Sequence, residues 1–228
     1  MRTNPQPATF SMSVGHVLLR QCRKPSGWLG RLTLWRMNRS HFKMTEWGLT
    51  HVSVQPRDTI LDLGCGGGRT VAKLATLANQ GKVYGVDYSD ESVAASRRTN
   101  RASIDAGRVE IVRAAVSQLP FPNQMFDLVT AVETHYYWPD LSTDLQEVLR
   151  VLKPSGALVV IAEAYKGGKY DALLQSVEAL RQRGIMHYAH LTVDEHRELL
   201  SRAGYASVRV FEDYSRAWLC AVAGRAEG

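Results

Sequence analysis

Five short apolar segments alternate with amphipathic segments through the middle of the chain. Each is predicted to form a strand, and they span residues 59–63, 82–87, 109–112, 126–132 and 157–162. Between the last two, apolar residues recur at the spacing of one helix face, at Leu141, Leu145, Val148, Leu149 and Leu152. Apolar strands joined by amphipathic helices predict a parallel sheet that helices cover on both faces.

Capping residues and turn residues set the predicted limits of two helices. Ser89 is a suitable N-cap for a helix that continues to about Ile104. Asp140 is a suitable N-cap for the helix that precedes the fifth strand. The sequence Lys-Pro-Ser-Gly at residues 153–156 predicts that this helix ends in a turn.

The last fifth of the chain predicts one more helix and two more strands. Thr192 and Glu195 have the spacing of a capping box, and the helix that they open is expected to stop at Gly204. Residues 207–211 and 217–223 are separated by a short turn, so we expect them to pair antiparallel at one edge of the sheet.

Together these patterns predict an α/β fold: a doubly wound, mostly parallel seven-stranded sheet with an antiparallel last strand and a helical N-terminal cap. Residues 1–13 are polar and contain two prolines, which predicts a disordered tail. Residues 14–55 mix basic and apolar positions and predict the cap. Residues 56–228 predict the main domain, in which the insertion-like residues 166–192 are a candidate lid.

Charge separates the predicted cap from the main body. Residues 1–45 contain eight lysines and arginines and no acidic residue, whereas the remainder carries 20 basic and 22 acidic residues. The main body therefore lacks the basic character of a nucleic-acid-binding domain, which argues against a nucleic-acid partner. The basic cap suits peripheral contact with an anionic membrane, or it is simply a solvated surface.

Composition argues against several classes of protein. Apolar residues make up 45% and charged residues 22%, as in a globular domain, and no apolar run reaches the ~18–20 residues of a membrane span. The N-terminus does not resemble a secretory signal, so a cytoplasmic location is expected. Cys22, Cys65 and Cys220 have no CxxC spacing, which predicts neither a disulfide framework nor a metal site.

The most informative motif is a glycine-rich turn after the first strand. Residues 61–70 read LDLGCGGGRT, and Asp87 ends the next strand. Glycines allow the backbone to approach a ligand, and the helix that follows presents free N–H groups to it. A carboxylate at the end of the second strand suits the hydroxyls of a ribose. A dinucleotide and S-adenosylmethionine both fit, but Arg69 stands where the dinucleotide fingerprint requires a small residue.

Five elements in order resemble the motif series of class I S-adenosylmethionine-dependent methyltransferases. They are residues 62–68 (DLGCGGG), Asp87, residues 119–121 (LPF), residues 126–127 (FD) and residues 152–156 (LKPSG). The LPF and FD elements are most similar to the branch that contains ubiquinone and menaquinone C-methyltransferases. The resemblance implies a Rossmann-like fold, S-adenosylmethionine as cofactor and methyl transfer to an acceptor.

The resemblance also implies cofactor-binding positions. Gly64, Cys65 and Gly66 would hold the methionine part through backbone groups, with Asp62 near its ammonium group. Asp87 would bind the ribose hydroxyls, Tyr88 would lie along the adenine, and Val116 would offer a backbone N–H to it. The family often has an aspartate for the adenine amino group where this chain has Ala115, and Ser117 is the candidate substitute.

The segment after the fourth strand is the candidate acceptor site. It reads ETHYYWPD at residues 133–140, and it follows a central strand beside the expected methyl group. Glu133 is predicted to contact the methionine end or to act as a base, and three more residues are candidates for holding the acceptor or its proton: His135, Tyr136 and Tyr137. Trp138 is a candidate wall. Glu163, at the end of the fifth strand, is the remaining catalytic candidate, and His41 and Trp47 are candidates to close over the site.

The predicted function is transfer of a methyl group, by in-line displacement, to a small and partly apolar acceptor. Two alternatives stay open on sequence grounds. One is methylation of RNA or of a protein side chain, with the basic cap as the docking surface. The other is a non-catalytic cofactor-binding scaffold, for which the loss of the adenine-side aspartate at Ala115 speaks. The acceptor atom and the oligomeric state are not predicted.

Overall fold

The computed structural model describes residues 41–172, 174–175 and 190–227. Residues 1–40, which include the predicted tail and most of the predicted cap, lie outside the described residues. Most of the candidate lid lies outside them as well. The structure therefore leaves these three predictions untested.

Seven strands form one sheet in the order β3-β2-β1-β4-β5-β7-β6. Their bounds are β1 Thr59–Leu63, β2 Lys82–Asp87, β3 Val109–Arg113, β4 Phe126–Val132, β5 Leu152–Glu163, β6 Ser207–Asp213 and β7 Trp218–Gly224. Strands β1 to β5 pair in parallel, and β7 pairs antiparallel with both β5 and β6. This order confirms the predicted α/β fold, including the antiparallel edge.

Helices cover both faces of the sheet. They are α1 Phe42–Leu49, α2 Arg69–Leu77, α3 Asp90–Thr99, α4 Arg101–Asp105, α5 Leu141–Val151 and α6 Val193–Arg202. On one face α5 packs against β5 and α6 packs against β6 and β7, and they bury residues such as Leu145 and Leu200. On the other face α1, α2 and α3 bury residues such as Met44, Leu74 and Val93. Because successive strand residues point to opposite faces, each apolar strand serves both layers.

Three predicted helix ends have the expected chemistry. Ser89 caps α3 by accepting a hydrogen bond from the Ser92 N–H, and Asp140 caps α5 by accepting from the Thr143 N–H. Thr192 and Glu195 form the reciprocal capping box of α6. These caps satisfy N–H groups that have no partner within the first turn of a helix.

Two predicted boundaries were wrong. The helix expected to continue to about Ile104 is divided at Asn100, whose side-chain amide donates to the carbonyl oxygens of Gly68 and Ser96 at 2.9 Å each. The turn expected at residues 153–156 lies within β5, where the register against β4 shifts and Ser155 has a φ of 61°. In both places the structure depends on residues that are distant along the chain. Asn100 contacts Gly68, and the start of β5 pairs with β4.

Candidate active site

The glycine turn connects β1 to α2 at the carboxyl edge of the sheet. Gly64 and Gly68 have φ values of 66° and 80°, in the left-handed region that other residues adopt only at a cost. The Cys65 N–H donates to the carbonyl oxygen of Val86 at 2.9 Å, which fixes the turn against the end of β2. The turn thus presents its backbone beside the end of the neighbouring strand.

Asp87 ends β2 and holds the turn in place. Its Oδ2 accepts from the Gly66 N–H at 3.0 Å and its Oδ1 from the Ser89 N–H at 2.9 Å. Burial raises the pKa of this carboxyl, and the backbone hydrogen bonds oppose that shift. The Ser92 side chain and the Tyr88 N–H also act against the raised pKa, so this carboxyl is surrounded by donors.

Asp62 is a second buried carboxyl at the same edge. Thr130 donates to its Oδ1 through the side-chain hydroxyl at 2.6 Å. Burial raises the pKa of Asp62 to about 7, and the negative charge of Asp87 adds to the increase. A positively charged ligand group beside Asp62 would favour its ionised form.

One cavity brings these groups together. Along one side it is lined by the glycine turn, by Asp62 and by the end of β2, and along the other by the residues that follow β4. Residues at the start of α1 and α2 complete the wall, namely His41, Phe42, Thr45, Arg69 and Thr70. One half of the lining thus contains the carboxyl groups of Asp62 and Asp87. The other half contains Glu133 and the aromatic side chains of Tyr137 and Trp138.

All but one of the predicted cofactor residues line this cavity. They are Asp62, Gly64, Cys65, Gly66, Asp87, Tyr88, Val116 and Glu133. Ser117 is exposed and does not belong to the lining. Ala115 does line the cavity, so the position where the family often has an aspartate faces the site without a carboxylate. The carboxyl groups and the backbone of the glycine turn suit a ligand that carries an ammonium group and a ribose.

Glu133 is held by two hydrogen bonds at the end of β4. Its Oε2 accepts from the Tyr136 hydroxyl at 2.5 Å, and its Oε1 accepts from the Glu163 N–H. Burial raises the pKa of Glu133 to about 7, although both hydrogen bonds favour the carboxylate. Glu133 has a φ of 55°, a strained value for a residue with a side chain.

The catalytic candidates after β4 divide into two groups. Tyr137 and Trp138 line the cavity with Glu133, whereas His135 and Tyr136 are buried and do not appear in the lining. His135 lies in a short 3-10 turn, residues His135–Tyr137, and its Nε2 is 3.2 Å from the Nε2 of His196 in α6.

Two candidates face away from the cavity. The side chain of Glu163 lines a neighbouring depression, together with Trp47 and Trp218. Trp47 packs against Trp218 and His51, at ring-centroid distances of 5.8 and 4.9 Å. Glu163 thus reaches the cavity only through its N–H, which donates to Glu133.

Several cavity residues were not predicted from the sequence. Phe42, Thr45 and Arg69 all line the cavity, and the Arg69 guanidinium lies 3.9 Å from the centroid of the Phe42 ring. The positions of His41, Phe42 and Thr45 on one face of a short helix were the available signal. Arg69 entered the sequence analysis only as a reason against a dinucleotide.

The described ranges contain neither a metal-binding cluster nor a membrane-spanning helix. There, no group of three or more histidine, cysteine, aspartate or glutamate residues is placed to hold a metal ion. In the same part of the chain, no helix has the length and apolar character that crossing a membrane requires.

Comparison with known proteins gives consistent similarities. Residues 61–160 match the family described as a methyltransferase domain. The chain is 32% identical over 178 residues to the 27-O-demethylrifamycin SV methyltransferase of Amycolatopsis mediterranei, covering 75% of this chain and 63% of that protein. It is 33% identical over 124 residues to the demethylmenaquinone methyltransferase of Geobacillus kaustophilus, covering 54% and 53%. The chain thus spans less than two thirds of either relative.

A solved structure supports the fold. The S-adenosylmethionine-dependent methyltransferase from Aquifex aeolicus superposes with a TM-score of 0.66, at 21% identity, over 84% of this chain and 96% of that one. The matched family agrees with the sheet order, with the glycine turn and with the aspartate that ends β2. Residues 61–160 therefore match a methyltransferase domain, within a fold shared with a solved S-adenosylmethionine-dependent methyltransferase.

Proposed function

We propose that the chain transfers a methyl group from S-adenosylmethionine to a small, partly apolar acceptor. The observation that carries this proposal is the single cavity that joins the glycine turn and Asp87 to an aromatic wall. Relatives named for a rifamycin precursor and for demethylmenaquinone, both small molecules, support it.

In this proposal the polar half of the cavity holds the cofactor. Asp87 accepts hydrogen bonds from the ribose hydroxyls, and the backbone of residues 64–66 contacts the methionine part, with Asp62 near its ammonium group. Tyr88 lies along the adenine, and Val116 offers its backbone N–H to it. Since Ser117 is exposed, it is not proposed to replace the aspartate that is missing at Ala115.

When bound, S-adenosylmethionine supplies a methyl group on a positively charged sulfur. The sulfur is the activated leaving group. The residues of this chain then have three tasks: to align the acceptor, to exclude water and to hold a proton where the acceptor must lose one. Tyr137, Trp138 and Glu133 line the cavity, and we propose the first two residues for the first two tasks and Glu133 for the third. His135 and Tyr136 are proposed to position these groups from behind the wall.

The remaining predictions stay proposals. We retain the division into a tail at residues 1–13, a cap at 14–55 and a main domain at 56–228, with 166–192 as a lid. Membrane contact through the basic residues before position 46 belongs to the same group. The helix α1 supports a cap, because His41, Phe42 and Thr45 line the cavity from its side.

A transfer assay tests the acceptor class. The protein is incubated with methyl-labelled S-adenosylmethionine and, separately, with 27-O-demethylrifamycin SV, demethylmenaquinone, simple phenols, bulk tRNA and total cell protein. We expect label in one or more small molecules and none in tRNA or protein. Label confined to tRNA or protein would contradict the proposal.

A further inference from the structure

Three carboxyl groups share the cavity without an ion pair. Asp62 and Asp87 are buried, at 2% and 7% exposure, and Glu133 is a third lining residue. Within the described part of the chain, no lysine, arginine or histidine forms a salt bridge with any of them. Grouped carboxylates with no such partner favour either a bound proton or a bound cation.

Glu133 is the carboxyl beside the methionine-binding end of the turn. It immediately precedes Thr134, whose side chain occupies the space into which a Cβ at Gly64 would project. Its two hydrogen bonds, from the Tyr136 hydroxyl and the Glu163 N–H, fix the carboxyl group at this point. The geometry therefore holds one carboxyl beside the part of the turn that is proposed to contact the methionine part of the cofactor, which contains the sulfur.

The titratable surroundings of Glu133 are mostly neutral or acidic. Tyr136 donates to it, Glu163 acts on it through charge, and Asp62, Cys65, Asp87, Tyr88 and Tyr137 face the same cavity with His41 and Arg69. Burial raises the pKa of Glu133 to about 7, so a substantial fraction is protonated at neutral pH without ligand. Burial also lowers the pKa of His41, which keeps that imidazole neutral.

We infer that Glu133 distinguishes the cofactor from its demethylated product, because it gives up its proton when the sulfonium charge binds. This inference rests on the proposed function. S-adenosylmethionine and S-adenosylhomocysteine share the ammonium, carboxylate, ribose and adenine, and they differ in the methyl group and in the positive charge on sulfur. Proton release from Asp62 beside the ammonium is therefore common to both, whereas release from Glu133 accompanies the sulfonium alone.

Calorimetric titration with each compound tests this coupling without an acceptor. At pH 6.5, titrations in buffers of different ionisation enthalpy give the number of protons released. We expect S-adenosylmethionine to release about half a proton or more in excess of S-adenosylhomocysteine. Between pH 6.0 and 7.0 its Kd is expected to fall about fivefold more than that of the product. This range lies below the α-amino pKa of about 7.7–8.0.

Variants assign the proton to a residue. In Glu133→Gln the amide oxygen can accept from the Glu163 N–H and the amide N–H can donate to the Tyr136 hydroxyl oxygen. We expect the difference between the two ligands to disappear while S-adenosylhomocysteine still binds. In Tyr136→Phe the carboxylate loses a donor, so the pH at which S-adenosylmethionine binding strengthens moves upward. Asp144→Asn is the matched control: Asp144 is a buried carboxyl with a raised pKa on α5, outside the cavity lining, and the difference should persist.

The outcomes separate this inference from the proposed function. Equal proton release for the two compounds by the wild type would overturn the inference and leave the proposed function intact, since both compounds would still bind. An undiminished difference in Glu133→Gln would overturn the assignment to this residue. Failure of the wild type to bind either compound would contradict the proposed function and the inference together.

Discussion

At the scale of single residues, the site is built from groups in unfavourable states. Glu133 has a positive φ, which a residue with a side chain adopts only at a cost, and it follows β4 beside Gly64, which follows the adjacent strand β1. The carboxyl groups of Asp62 and Asp87 are buried, and each accepts a hydrogen bond from a residue that is distant in sequence. Such strain and burial are concentrated where a ligand is expected to compensate for them.

Gly64→Ala tests the turn at this scale. A Cβ at Gly64 would overlap the side chain of Thr134, in addition to the cost of about 1–2 kcal/mol for a left-handed residue with a Cβ. We expect a lower free energy of unfolding and weaker S-adenosylhomocysteine binding, measured by denaturant unfolding and by calorimetry.

Gly107→Ala is the matched control for this substitution. Gly107 has a φ of 73°, and a Cβ there would meet no atom within 4 Å. It carries the backbone cost alone, and ligand affinity should not change. Equal destabilisation by the two substitutions, with equal affinities, would show that the contact between Gly64 and Thr134 has no role.

At the scale of elements, the His135–His196 contact joins the turn after β4 to α6. The Nδ1 of His196 bonds the Thr192 carbonyl oxygen at 2.8 Å and must carry a proton, so its Nε2 accepts from the Nε2–H of His135. Burial lowers the pKa of both imidazoles, and neighbouring histidines lower that of His135 further. The pair is therefore neutral in the folded protein.

This pair predicts a pH-dependent contribution to stability. The unfolded chain protonates its histidines below about pH 6.5, whereas the folded pair resists protonation, so its contribution is present above that pH and is lost below it. His196→Gln should lower the free energy of unfolding by about 1–3 kcal/mol at pH 7.5, because the amide cannot bridge His135 and the Thr192 carbonyl oxygen with the geometry of the imidazole ring. Thermal unfolding at pH 7.5 and 5.0 should show a smaller deficit at pH 5.0.

Arg197→Gln is the control for the histidine pair. Arg197 is exposed on the same helix and pairs with Asp194 at the surface. Its deficit should be small and the same at both pH values, because the pair lies at the surface, where solvent screens it. A deficit of His196→Gln that does not change with pH would contradict the assigned protonation states.

The elements themselves could be predicted from the sequence because their signals are local. The strands were predicted from apolar segments that alternate with amphipathic ones. The starts of two helices were predicted from the Asp140 cap and the Thr192–Glu195 capping box. The break at Asn100 could not be predicted, since it depends on the Gly68 carbonyl 32 residues earlier in the chain. The same reason applies to the site: the contacts of Glu133 with the Glu163 N–H and of His135 with His196 exist only in the folded sheet.

At the scale of the whole molecule, the sheet order places the site. Strands β1, β2 and β4 are neighbours, so residues 62, 87 and 133 meet at one carboxyl edge although they are far apart in sequence. Ligands of open α/β sheets bind at this edge. Fold alone does not determine a reaction, so the assignment of the cofactor site depends on Asp87 and the glycine turn.

The most direct measurement is therefore calorimetric titration of S-adenosylhomocysteine into the wild type, Asp87→Asn and Asp213→Asn. Asp213 also ends a strand and accepts from the turn that follows, but it lies outside the cavity lining. We predict that Asp87→Asn raises the Kd at least tenfold, as expected for losing charge-assisted hydrogen bonds to the ribose, while Asp213→Asn binds like the wild type. Wild-type affinity in folded Asp87→Asn, or no binding by the wild type, would contradict the account.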